Sequence, residues 1–259
     1  MNETDQSGAG GQSGAGDRGK SVEIRPAASR IRTRMDWLDA CGSFPMGRHP
    51  AEPDNTHFGL LYVHQEDRIA PRSGFPPHPH RDVEVVTWVL GGALEHRDDT
   101  GGEGVIRPGQ AQHMSAGTGV VHSEMNPFAE DAHVVQMWIA PDEAGGEPYY
   151  SDIDLGTALD GGALVAVASG GRTEAPAKLR QAEATLWAGR PGPAVAVNLP
   201  DAPFVHLFCA RGELSLEGGE RLGAGDVARL RSAGRLALTA SAEGCELLAW
   251  EMHAELRDA

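Results

Sequence analysis

The sequence is poor in cysteine, in positive charge and in long apolar runs, and each shortage removes a class of function. Cys41, Cys209 and Cys245 are odd in number and lack CxxC spacing, so neither a disulfide framework nor a thiol redox motif is expected. No secretory leader is read at the start of the chain, and a soluble protein of the reducing cytoplasm is expected. Lysine and arginine number 22 against 37 aspartates and glutamates, a net charge of −15, which repels a nucleic-acid backbone at long range. No apolar stretch approaches the roughly 20 residues of a membrane-spanning helix. Gly-rich phosphate loops and Ser/His/Asp arrangements are missing as well. Trp37, Trp88, Trp138, Trp187 and Trp250 are spread evenly along the chain, which suits packing better than a base-stacking platform.

Turn formers are plentiful. With 34 glycines and 17 prolines in 259 residues, many short strands are expected, and the length suits two domains. Residues 1–20 repeat QSGAG at Gln6–Gly10 and Gln12–Gly16 and have little to bury, so they are expected to form a disordered tail. Strand text follows at Gly59–Val63, Val83–Leu90, Val105–Ile106 and Val134–Ile139, without a competing helical period.

The second half repeats the grammar of the first. Val89–Glu95, Arg107–Ala111 and Ser115–Gly117 have counterparts in Cys209–Ser215, Gly223–Val227 and Ser232–Gly234, in the same order. The reading is an all-β chain of two tandem β-barrels with few short helices. The first unit is expected over 21–148 and the second over 149–259.

Histidines carry the chemistry. His78 and His80 are two residues apart, so on an extended strand both imidazoles project from one face, and His122 with Glu124 repeats that spacing. Three imidazoles and one carboxylate suit Fe, Ni, Co, Cu, Mn or Zn, with coordination positions left open. Glu84, four residues beyond His80, competes with Glu124 for the carboxylate role, and spacing alone does not choose between them. His96, His113 and His133 are read as hydrogen-bonded barrel histidines, although His113 could reach the pocket wall. His206 has no neighbouring His or Glu on its strand Phe204–Phe208, so the second barrel is expected to be metal-free.

The order Gly74, His78, His80, Glu84, Gly91 and then Gly109, Ser115, Gly117, His122 resembles the two signatures of the cupin superfamily, which implies jelly-roll-like barrels. Gly74–Arg81 and Ser115–Met125 resemble the two hallmark segments of the pirin family, with the strong resemblance running from about Asp67 to Ile139. Asp82 and His113 depart from the animal members and are closer to the short bacterial ones. The resemblance implies iron held at His78, His80, His122 and Glu124, with Glu84 in a supporting role, where Arg81 could pair with it. It also implies one of two activities. One is cleavage of flavonols such as quercetin with O2, with Glu124 or alternatively Glu84 as the base. The other is non-enzymatic, metal-responsive binding of a transcription factor or a metabolic enzyme.

Overall fold

The computed structural model describes residues 19–45 and 49–256. The tail expected over 1–20 therefore lies, apart from Gly19 and Lys20, outside the described residues. The described residues form β-strands with two short 3-10 turns, Ala27–Ser29 and Gly156–Gly161. No helix among the described residues is long and apolar enough to cross a membrane.

Two sheets make the first barrel. One has seven strands in the order Tyr149–Asp154, Gln110–Ser115, Glu84–Gly91, Ala132–Ile139, Leu61–Ile69, Leu38–Gly42 and Ile31–Arg34. The other has four, Ser73–His80, Val120–Asn126, Leu94–Asp98 and Glu103–Ile106. A nine-stranded sheet, centred on the long strands Phe204–Leu216 and Ala237–Met252, makes the second barrel.

The units expected at 21–148 and 149–259 exchange their first strands. Ser21–Arg25 pairs with Val227–Arg231 in the second barrel, and Tyr149–Asp154 pairs with Gln110–Ser115 in the first. Composition marks a strand, but its pairing partner is set by non-local packing, so a division at residue 148 misses both crossings. The internal repeat has a backbone counterpart. Gly92 and Gly212 turn with φ of 65° and 70°, and Gly109 and Gly225 with φ of 87° and 89°, a region open to glycine at little cost. A Cβ on Gly92 would lie 2.2 Å from the Asp131 carbonyl oxygen, and one on Gly212 2.3 Å from that of Gly244.

The strand Glu84–Gly91 explains how the barrels join. Val86, Trp88 and Leu90 share a core with Phe208, Leu248 and Trp250 of the second barrel, whereas Val85 and Val89 belong to clusters of the first barrel. Even positions thus face the second barrel and odd positions the interior of the first, as strand alternation requires.

His64 and His206 meet at this junction with ring centroids 4.7 Å apart. Both rings are buried, and neither ring nitrogen of His206 has a hydrogen-bond partner among the described residues. Burial, followed by the charges of Arg229 and Arg30, pushes His206 well below its ordinary value. The unfolded chain therefore takes up this proton first, and stability falls as pH drops below about 6.5. Replacing His206 with Phe is expected to raise stability by about 1 kcal/mol at pH 7 and by more at pH 5. Thermal unfolding at the two pH values checks this.

Candidate metal centre

The four-stranded sheet brings the histidines together. Val120–Asn126 runs antiparallel to Ser73–His80, with His122 opposite His78 and Val120 opposite His80. Ring centroids lie 4.9 Å apart for His78 and His80, 4.4 Å for His78 and His122, and 4.9 Å for His80 and His122. One nitrogen from each ring falls within 4.8 Å of the others, a grouping able to hold a metal ion.

Hydrogen bonds set the tautomers so that lone pairs face inward. His78 Nδ1 donates to the Pro76 carbonyl at 2.8 Å, leaving Nε2 as its acceptor nitrogen. His96 Nε2 lies 3.0 Å from Asp98 Oδ2. Burial pulls the Asp98 carboxyl up, but hydrogen bonds from His96, Thr100 and Gly102 outweigh it and hold the group below its ordinary value. An ionised Asp98 takes the His96 Nε2 proton as a hydrogen bond, so His96 Nδ1 is an acceptor. His122 Nδ1, 3.3 Å away, must then donate, which leaves the buried and otherwise unpartnered His122 Nε2 with a free lone pair. This carboxylate–imidazole chain is the arrangement that orients metal-ligating histidines. Burial, with the neighbouring imidazoles second, pushes His122 down to about 3 and His80 down to about 4. Both rings are therefore neutral near neutral pH, the form that binds a metal.

Glu124 lies on the same strand as His122 and is buried. It joins His122 and His96 in a second grouping of possible ligand atoms. With both His96 nitrogens engaged by hydrogen bonds, Glu124 is the member of that group with oxygen lone pairs to spare. Its Oε1 accepts from Gln112 Nε2 at 2.6 Å and its Oε2 from Gln136 Nε2 at 2.6 Å. Gln136 is oriented for this because its Oε1 accepts from Trp138 Nε1 at 2.9 Å. Burial raises the Glu124 carboxyl above its ordinary value against the pull of those amides.

Glu84 is elsewhere. It belongs to the even positions of its strand, on the face toward the second barrel, and accepts from Ser115 Oγ at 2.6 Å, His113 Nε2 at 2.8 Å and the Arg180 amide at 3.2 Å. The four-residue spacing from His80 misleads because Asp82, with φ of 52°, turns the chain between the two strands and resets their parity. The expected pairing of Arg81 with Glu84 is absent, Arg81 being exposed. His113, considered for the pocket wall, is instead tied to Glu84. His133 bonds Glu66 at 2.8 Å, also on the outer face. Both possible metal groupings among the described residues lie in the first barrel.

A cavity of about 210 Å³ opens onto His78, His80 and Glu124, with Phe75 and Trp138 among its apolar walls and Asp67 among its polar ones. Asp67 is buried and its Oδ1 has no partner; burial, and then the nearby Glu124, push its carboxyl up to about 7. Sequence reading took His96 as a hydrogen-bonded barrel histidine, which it is, but passed over Asp67, Thr87, Asp98, Gln112, Gln136 and Tyr150, whose ring stacks on His96 at 4.1 Å. The available signal was Thr87 and Gln136, polar residues standing inside otherwise apolar strands.

The family model described as Pirin matches residues 24–139. A Mycobacterium tuberculosis protein named "Putative quercetin 2,3-dioxygenase" is 50% identical over 240 residues, which is 92% of this chain and 98% of its own. A pirin-like protein of Caulobacter vibrioides is 35% identical over 209 residues, covering 79% of this chain and 88% of its own. The crystal structure of the bacterial pirin YhhW from Escherichia coli, in complex with nickel(II), superposes with a TM-score of 0.81 at 27% identity. That match spans 90% of this chain and all of the other.

Proposed function

Because this chain belongs to the pirin family and turns imidazoles toward a cavity beside a buried carboxylate, we propose that it is a metal-dependent dioxygenase cleaving flavonols such as quercetin with O2. The observation that carries this reading is the grouping of His78, His80 and His122 within ligand distance of one another, two of them, His78 and His80, lining that cavity. The donor set of three imidazoles and a carboxylate fits a divalent transition metal better than a hard oxygen-seeking ion. Iron is the first choice, ahead of Ni, Co, Cu, Mn or Zn. His78, His80 and His122 would hold it, with Glu124 as the fourth ligand or the nearby base, and it would supply Lewis acidity toward the flavonol 3-hydroxyl and one-electron chemistry toward O2.

The protein's own groups do the rest. Glu124, raised by burial, is suited to accept the 3-hydroxyl proton, while Gln112 and Gln136 keep its oxygens in place. Phe75 and Trp138 offer aromatic walls, and the unpartnered Asp67 oxygen can accept a hydrogen bond from a ring hydroxyl. A volume of about 210 Å³ seats one substituted ring, so the remainder of a flavonol would lie across the mouth. The free cysteines are consistent with a reducing cytoplasm.

Quercetin is expected to be consumed by the iron-loaded protein with O2 uptake and carbon monoxide release. Absence of turnover with Fe, Ni, Co, Cu and Mn would sink the reading for this substrate and favour a metal-responsive binding protein. Asp98→Asn, which disturbs the tautomer relay through His96, is expected to weaken metal binding by roughly 10- to 100-fold with little change in fold. A chelator competition assay measures this.

A further inference from the structure

A second cavity, of about 720 Å³, lies where the outer face of the seven-stranded sheet meets the second barrel. Its walls hold Arg30, Arg32, Arg68 and Arg211 against the two carboxylates Asp39 and Glu66, in a chain whose net charge is −15. We propose that this inter-barrel cleft is a binding site for a small organic dicarboxylate, held between Arg68 of the first barrel and Arg211 of the second.

Both carboxylates of the cleft are already neutralised. Glu66 accepts from Arg30 at 2.8 Å and from His133 at 2.8 Å. Asp39 is gripped through both oxygens by Arg32, one bond measuring 2.6 Å. Arg30 is fixed in the floor, its side chain 1% exposed, with further bonds to the Gly225 and Cys41 carbonyls.

Arg68 and Arg211 are different. Arg68 is exposed, and its side chain has no hydrogen bond or ion pair among the described residues. Arg211 gives Nη2 to the Leu90 carbonyl and stands 3.6 Å from Glu246, which Arg190 also approaches at 3.1 Å. Its Nη1 makes no hydrogen bond among the described residues, and half of the side chain, 52%, is exposed.

The register sets the Arg68 backbone position and the Arg211 guanidinium on either side of one histidine. His133 is opposite Arg68 on one neighbouring strand and opposite Gly91 on the other. Arg211 Nη2 lies 3.8 Å from where a Cβ on Gly91 would be. Arg68 and Gly91 are thus two strands apart, about 10 Å by strand spacing. A four- or five-carbon chain with a carboxylate at each end can offer one carboxylate to the forked donors of Arg68 and the other to Nη1 of Arg211. Arg68 and Glu66 sit at even positions of Leu61–Ile69, on the face opposite Asp67, so the cleft is separate from the histidine cavity.

Titration calorimetry on the full chain at fixed ionic strength tests the site, with succinate and glutarate as probes, acetate as the single-charge control and inorganic phosphate as the competing anion chemistry. The dicarboxylates are expected to bind at least about tenfold more tightly than acetate or phosphate. Arg68→Gln and Arg211→Gln should each weaken them by about tenfold or more while metal uptake stays unchanged. Equal binding of succinate and acetate, tighter binding of phosphate, or dicarboxylate binding indifferent to both substitutions would overturn the proposal.

Discussion

Replacing His80 with alanine is expected to lower the affinity for a divalent metal by more than about 100-fold, beyond the cost of losing an outer hydrogen-bonding partner, while thermal stability changes by less than about 1 kcal/mol. The two readouts separate because of what His80 touches. Its ring makes no hydrogen bond among the described residues and packs edge-on against Trp138 at 4.8 Å. Burial already pushes it down to about 4, so the fold gains nothing from its charge. Truncation removes a lone pair from the centre and leaves no protein donor or acceptor orphaned. Turnover of any oxidisable substrate should fall with the metal. Chelator competition for affinity and calorimetric melting for stability provide the two numbers. A variant that melts early yet binds metal normally would mark His80 as a packing residue.

Glu84→Ala is expected to give the opposite pattern, a loss of about 3–5 kcal/mol of stability with metal affinity preserved in the protein that remains folded. The carboxylate is 1% exposed and holds His113 Nε2, Ser115 Oγ and the Arg180 amide together. Its removal strands two buried donors, His113 Nε2 and Ser115 Oγ, and the half-buried Arg180 amide between the two barrels. Against a total stability of about 5–15 kcal/mol that loss is large, so denaturant unfolding below room temperature is the suitable measurement. Glu84→Gln keeps one acceptor and should cost less. If Glu84→Ala instead released metal while unfolding at the wild-type midpoint, Glu84 would be a ligand and the reading of the carboxylates would be reversed.

These two substitutions also mark the boundary of what was legible in the residues. The all-β class and the tandem barrels followed from turn formers and from repeated pieces such as Gly92 and Gly212. The three histidines were legible because an x between two ligands on a strand fixes their common face. Glu84 against Glu124 was not, because Val83–Leu90 is buried on both faces and its apolar residues fall at both parities. Without alternation its parity is invisible, and the turn at Asp82 breaks any count from His80. Nor could local text show that Ser21–Arg25 and Tyr149–Asp154 change barrels, or that Tyr150 thereby reaches His96. Gln112, Thr87 and Gln136 lie far apart in the chain and meet only because three neighbouring strands align them in register.

The central claim is that one divalent metal is held by His78, His80 and His122 with a carboxylate from Glu124. X-ray absorption spectroscopy of the iron-loaded protein reads that shell directly. The expected spectrum shows an iron shell of nitrogen and oxygen donors with the outer scattering of three imidazole rings, reduced to two in His80→Ala. A spectrum with one imidazole or none, or one unchanged in His80→Ala, would contradict it.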